Sequence, residues 1–119
     1  MIVSDIMISP VIVTQHNKTL SHVNDLFERK KINAIPVLST SGEIEGIITA
    51  SDIAHETDYN KTVKEIMTTN SHIVSMNSGV QGAAKMMEKH KVHHLIVMDN
   101  GQVVGIISSM DFVKLVAKE

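Results

Sequence analysis

A mixed α/β (α+β) fold built from one unit used twice is predicted by three stretches that recur in the same order. Val3-Ser4-Asp5-Ile6-Met7 returns as Val63-Lys64-Glu65-Ile66-Met67. Lys31-Ile32-Asn33-Ala34-Ile35-Pro36-Val37-Leu38 returns as Lys91-Val92-His93-His94-Leu95-Ile96-Val97-Met98. Gly46-Ile47-Ile48-Thr49-Ala50-Ser51-Asp52 returns as Gly105-Ile106-Ile107-Ser108-Ser109-Met110-Asp111. Self-similarity at a fixed spacing decides architecture before any single element does. The register slips by one residue between the second and third stretches, inside a turn, where a duplication tolerates it. The repeats are therefore placed at residues 1–58 and 59–119.

In the first repeat, Ser4 is positioned to cap a short helical turn that runs to Met7, and Pro10 closes off any helix there. Val11-Ile12-Val13 suits a short strand. Thr19 opens a helix whose apolar residues Leu20, Val23 and Phe27 form one stripe, with Leu26 at its margin and Asp25, Glu28, Arg29 and Lys30 largely outside it. Pro36 demands extended chain, so the helix ends near Lys31 and Ile35 to Leu38 is a strand. Ser39-Thr40-Ser41-Gly42 is turn chemistry, which makes this strand and Ile44 to Thr49 a hairpin. A short helix from Ser51 follows, and Asp58 to Lys61 is read as the linker.

The second repeat follows the same plan. Ser78-Gly79-Val80-Gln81 has the capping-box spacing, and Val80, Ala83, Ala84 and Met87 mark the buried face of the helix it opens. Asp99-Asn100-Gly101 is a hairpin turn between the strands His94 to Met98 and Val103 to Ser108. The last helix, Met110 to Ala117, is apolar except at Asp111 and Lys114. Such a helix is covered on more than one side, and a partner subunit is the expected second cover.

Composition narrows the function classes. The 119 residues carry 43% hydrophobic and 20% charged side chains, the balance of a folded globular domain, and contain no cysteine. Thiolate metal sites, disulfides and a cysteine nucleophile are thereby excluded. A formal net charge of −2 with 3% aromatics gives neither the electrostatic attraction nor the stacking surface that nucleic acid calls for. No apolar run reaches membrane-spanning length and no signal peptide is evident, so a cytoplasmic protein is expected.

Chemistry concentrates at the two strand-to-helix corners, Thr49 with Asp52 and Ser108 with Asp111. A hydroxyl three residues before a carboxylate fits a capping box, which holds a helix end without binding anything. The same pair also suits a vicinal diol, because a carboxylate accepts two donated bonds while a hydroxyl both gives and accepts. No nucleophile, base and orienting group can be assembled from these motifs, so no enzyme and no catalytic residue is expected. His90, His93 and His94 have no carboxylate placed beside them by sequence, and no metal is expected.

The Val-x-x-Ile-Met openings, the segments Asn33-Ala34-Ile35-Pro36-Val37 and His93-His94-Leu95-Ile96-Val97, and the two Gly-Ile-Ile-[Thr/Ser]-x-x-Asp corners together resemble the CBS domain, named after cystathionine β-synthase. The whole chain resembles a tandem pair, a Bateman module. The resemblance implies a β-α-β-β-α unit per repeat, with the two repeats related by a pseudo-twofold axis and two clefts between them. It also implies a freestanding regulatory sensor that needs no cofactor and binds AMP, ADP, ATP or S-adenosylmethionine. Thr49 with Asp52 and Ser108 with Asp111 would hold ribose. Val11, Ile12, Ile32, Asn33, Ala34 and Val92 would wall the base. A homodimer through cleft-adjacent helices, including Met110 to Ala117, and an unidentified regulated protein are the implied partners. Some CBS pairs bind nothing small, so a ligand-independent interaction module is the alternative.

By the same resemblance, residues at the positions of His93 and His94 reach phosphate. Those two histidines would face Asp52, and Asn33 and Ala34 would face Asp111, making the clefts unequal. Histidine is the side chain that gains charge near neutrality. AMP affinity is therefore expected to rise from pH 8 to pH 6 while adenosine affinity does not, and equal AMP affinities at both values would count against phosphate contact. On this pairing Asp52→Ala costs more AMP affinity than Asp111→Ala.

Overall fold

The computed structural model describes residues 1–118, so Glu119 of the second predicted repeat lies outside the description. Its elements confirm the mixed fold class. One compact unit is Ile12–Ser71 and the other joins Met1–Val11 to the described residues from His72 onward. The first contains helices α1 (Leu20–Lys30), α2 (Ala50–Ile53) and α3 (Val63–Ile66) and strands β1 (Ala34–Leu38) and β2 (Ile44–Thr49). The second contains a 3-10 turn (Val3–Asp5), β3 (Ile73–Ser75), α4 (Val80–His90), β4 (His94–Asp99), β5 (Gln102–Ser108) and α5 (Ser109–Ala117).

In the two-stranded unit, β1 and β2 are antiparallel, with Ala34 opposite Thr49 and a bulge at Val37/Leu38. Leu20, Val23 and Phe27 of α1 bury against Ile35, Val37 and Ile48, as the helical stripe requires. The Thr19 hydroxyl caps α1 by accepting from His22 N at 3.2 Å, and Lys31 ends the helix in the left-handed region at φ 55°. In the three-stranded unit, β3 runs parallel to β4 and β4 antiparallel to β5. The Asn100-Gly101 turn has φ 50° and 76°, the backbone that the sequence's Asn-Gly pair favours. Its core joins Val74, Ala83, Met87, Leu95, Val97 and Ile107.

The two units cross the boundaries of the sequence repeats, because each repeat's opening is built into the unit holding the other repeat's hairpin. Val63 is fully buried in the core of the two-stranded unit and Val3 in that of the three-stranded unit. Fully burying a valine contributes roughly 1.5–3 kcal/mol. The backbone bonds match one for one. Val63 N donates to Lys18 O at 2.8 Å and Val3 N to Ser78 O at 2.8 Å; Lys64 N donates to His16 O and Ser4 N to Met76 O, both at 3.0 Å. Ile47 and Thr68 exchange two bonds of 2.9 Å, as Ile8 and Ile106 do at 2.8 and 3.2 Å. This approach explains the glycine that begins each corner motif. A Cβ on Gly46 would stand 2.5 Å from the Thr68 carbonyl oxygen, and one on Gly105 would stand 2.7 Å from Met7 Sδ and 3.0 Å from Ile8 O.

Several local expectations are corrected. Val11-Ile12-Val13 forms no strand; only Thr14 bridges to Val37. The equivalent β3 is a strand paired with β4, and just before it His72 O accepts from Ile96 N at 2.9 Å. Pro36 stands where Ile96 stands and has no N–H to give, so that rung is lost. Ser4 lies inside the 3-10 turn, which is closed instead by Ile2 N donating to Asp5 Oδ2 at 2.8 Å. Ser78 does not cap α4. Gly79 holds that position, and the first free amide, Val80 N, donates to Met1 O at 3.2 Å. α2 starts at Ala50 rather than Ser51. The Asp58–Lys61 linker is docked on α1, with Leu20 N donating to Lys61 O at 2.9 Å and Ser21 N to Tyr59 O at 3.0 Å. Lys61 Nζ also reaches Glu56 Oε1 at 2.9 Å, and that bond raises the lysine's pKa above its usual value.

Candidate functional site

The first corner forms where β2 runs into α2. Thr49 N donates to Asp52 Oδ2 at 2.8 Å, and Asp52 N donates to Thr49 Oγ1 at 3.2 Å. Thr49 Oγ1 also lies 3.0 Å from Ser51 Oγ. The entry to β1 is fixed beside it. Ala34 pairs with Thr49 across the hairpin, and Ala50 N donates to Asn33 O at 2.9 Å. Ile32, half-buried, packs on the core and donates its N–H to Phe27 O at 3.2 Å. Ile32, Asn33 and Ala34 therefore sit against the Thr49 corner of their own unit.

The second corner repeats this with one change. Ser108 N donates to Asp111 Oδ2 at 2.8 Å, but the Ser108 hydroxyl also donates to Oδ2, at 3.1 Å. Ser109 N donates to His93 O at 3.0 Å, and His94 pairs with Ser108 in the ladder. Asp111 is buried, at 8% exposure, whereas Asp52 is half-buried. A buried carboxylate is stable only where hydrogen bonds replace its water. Each carboxylate commits Oδ2 to the helix start, and among the described residues Oδ1 holds no bond. Capping thus operates at both corners and leaves acceptor capacity at each.

Two cavities flank the start of α5. One, of about 390 Å³, is lined by Val92, His93, Ser109 and Phe112 together with Ala84, Met87 and Glu88 of α4 and Lys91 just past its end. The other, of about 280 Å³, is lined by Asp111 with Asp5, Lys114 and Lys118. Within this unit His93 and Asp111 line different cavities. Asp5, Lys114 and Lys118 are missing from the sequence-predicted set. Lys114 was legible from its three-residue spacing from Asp111 on a helix, but Asp5 arrives only through the exchange of openings. Val11 and Ile12 are half-buried where the chain passes from one unit to the other. The His90 ring stacks on His72 with centroids 4.2 Å apart. Among the described residues no His, Cys, Asp and Glu group is placed to hold a metal, and no helix is long and apolar enough to cross a membrane.

The CBS domain model matches residues 3–58 and 63–118. Inosine-5′-monophosphate dehydrogenase of Mycobacterium tuberculosis (strain ATCC 25618 / H37Rv) is 32% identical over 111 residues, which is 91% of this chain and 21% of that protein. L-aspartate semialdehyde sulfurtransferase of Methanocaldococcus jannaschii is 33% identical over 116 residues, 96% of this chain and 23% of that protein. The chain therefore spans about a fifth to a quarter of these relatives. The crystal structure of the CBS domain pair of protein MJ0100, in complex with 5′-methylthioadenosine and S-adenosyl-L-methionine, superposes with a TM-score of 0.91 at 31% identity, covering 99% of this chain and 97% of that one. With both repeats matched and both corner motifs in place, this chain belongs to the CBS-domain family and is a tandem CBS pair.

Proposed function

We propose that this CBS pair is a regulatory module that binds an adenosine-containing small molecule, with Thr49 and Asp52, and Ser108 and Asp111, as its ribose-binding residues. The observation that carries the reading is the duplicated corner in which a carboxylate holds the helix start with one oxygen and keeps the other uncommitted. A ribose diol donates two hydrogen bonds, and charge-assisted bonds of this kind are the strong ones. The MJ0100 pair, crystallised with two adenosine compounds, supports the ligand class. Val11, Ile12, Ile32, Asn33, Ala34 and Val92 supply the base-contacting walls, and His93 and His94 supply contact to a phosphate where the ligand has one. AMP, ADP, ATP and S-adenosylmethionine all belong to the class proposed. No catalytic role is proposed.

The ligand acts by shifting conformation or a dimer contact, and its leverage equals its differential affinity for the two states. The homodimer is proposed to form through α5, where Met110, Val113 and Val116 are 55%, 56% and 68% exposed on a helix whose Phe112 packs against the core of its unit. Sedimentation is expected to show a dimer at micromolar concentration, and Val113→Glu is expected to give a monomer. A wild-type monomer would remove the dimer from the proposal.

A thermal-shift screen tests the ligand class. An adenosine ligand present at a hundred times its dissociation constant stabilises the fold by about 2.7 kcal/mol. No shift with AMP, ATP, S-adenosylmethionine or 5′-methylthioadenosine would instead favour the ligand-independent interaction module, which the exposed face of α5 also suits.

A further inference from the structure

A third polar cavity lies in the two-stranded unit, at the end of β1 away from the Thr49 corner. It has a volume of about 380 Å³, and its lining includes Thr14, Lys18, His22, Ser39 and Thr40. That volume falls within the range of small-ligand sites. The lining contains two basic side chains and no carboxylate. Neither Lys18 nor His22 has an ion-pair partner among the described residues.

Thr14 is the informative residue. It is 5% exposed, and its Oγ1 is buried without any hydrogen-bond partner. An unpaired buried hydroxyl is costly, so such a group calls for an explanation. Packing does not supply one. Thr14 bridges to Val37 as Val74 pairs with Val97 in the other unit, and Val74 is equally buried. A valine therefore satisfies the fold at this place. The other lining positions differ in the same direction: where this unit has Lys18, His22 and Ser39, the sister repeat has Ser78, Gly82 and Asp99. Basic side chains stand on one side of the duplication, and at the same positions the other has none.

The first-turn amides of α1 are already occupied. Leu20 N, Ser21 N and His22 N donate to Lys61 O, Tyr59 O and Thr19 Oγ1. Attraction into the cavity comes instead from the side chains, with the positive end of the α1 dipole adding to it. Ser39 Oγ already accepts from Glu43 N at 3.1 Å and lies 2.9 Å from Ser41 Oγ, whereas the Thr14 hydroxyl, the Lys18 ammonium and the His22 ring are uncommitted donors among the described residues.

We propose that this cavity is a second, phosphate-selective anion site, in which Thr14, Lys18 and His22 donate to the oxygens of inorganic phosphate or of a small phosphomonoester. It is separate from the ribose corners and does not depend on their function. A compact tetrahedral anion can accept from several donors at once, and bonds to a charged acceptor are the strong ones.

The test is NMR titration of the whole chain with inorganic phosphate in one arm and glycerol 3-phosphate in another, following the backbone amides of Gln15, Lys18, His22, Thr40 and Gly42. Saturable shifts of these amides are expected in at least one arm. Tighter binding of the ester assigns the cavity to a phosphorylated metabolite, and tighter binding of phosphate assigns it to the free ion. Thr14→Val and Lys18→Ser copy the sister repeat and so preserve the fold; each is expected to weaken binding about tenfold, the loss of one hydrogen bond to a charged group. Amides that do not move in either arm would overturn the proposal. So would shifts that persist unchanged in both variants.

Discussion

Gly46→Ala is expected to lower stability by about 2 kcal/mol, within the range for forcing an extra methyl group into a packed interior. The new Cβ would stand 2.5 Å from the Thr68 carbonyl oxygen and would also crowd Met67 Sδ at 3.3 Å. Backbone cannot swing aside as a side chain can, and Thr68 is tied to Ile47 by two bonds of 2.9 Å. Relief of the clash therefore breaks that pair and loosens the opening whose Val63 is fully buried. Gly105→Ala is expected to cost less. Its nearest obstacle is the sulfur of Met7 at 2.7 Å, with backbone only at 3.0 Å, and methionine is the side chain best able to repack. Urea denaturation of both variants checks the order; equal midpoints for Gly46→Ala and wild type would show that the opening does not press on β2.

Asp111→Ala is expected to reduce adenosine affinity ten- to a hundredfold, the order of magnitude for losing hydrogen bonds to a charged group. Stability is expected to fall by only about 1 kcal/mol, the usual cost of a lost helix cap. The separation of the two effects follows from the geometry. Oδ2 serves Ser108 N and the Ser108 hydroxyl, while Oδ1 is available to a ligand. Asp52→Ala is expected to cost less adenosine affinity, because Asp52 is half-buried and water competes there for its acceptor oxygens. Isothermal titration with adenosine, which has no phosphate to engage histidine, measures the two variants on the same footing. Unchanged affinity in both would reduce the corners to helix caps.

Local pattern made much of this molecule legible. The stripe of Leu20, Val23 and Phe27 fixed the orientation of α1, Asn100-Gly101 marked a hairpin, and the repeated hydroxyl and carboxylate located the corners. What stayed hidden depends on partners far away in the chain. Val11 to Val13 has strand composition, yet the missing N–H of Pro36 removes a rung. Ser78 has capping spacing, yet Gly79 takes the cap because the Met1 carbonyl answers the helix amide. The glycine of each corner motif resembles a turn residue until the exchanged opening shows that close backbone approach requires it. The burial of Asp111 beside Asp5 follows from the same exchange, which no local window reveals.

Ribose recognition by the corner carboxylates is tested most directly by calorimetric titration of the wild-type chain with adenosine and with 2′-deoxyadenosine. The protein is then unaltered and only the diol changes. Removing one hydroxyl leaves a carboxylate acceptor unused, so 2′-deoxyadenosine is expected to bind at least about tenfold more weakly than adenosine. Equal affinities for the two nucleosides, or no binding of either alongside no binding of S-adenosylmethionine, would contradict ribose binding at Thr49, Asp52, Ser108 and Asp111.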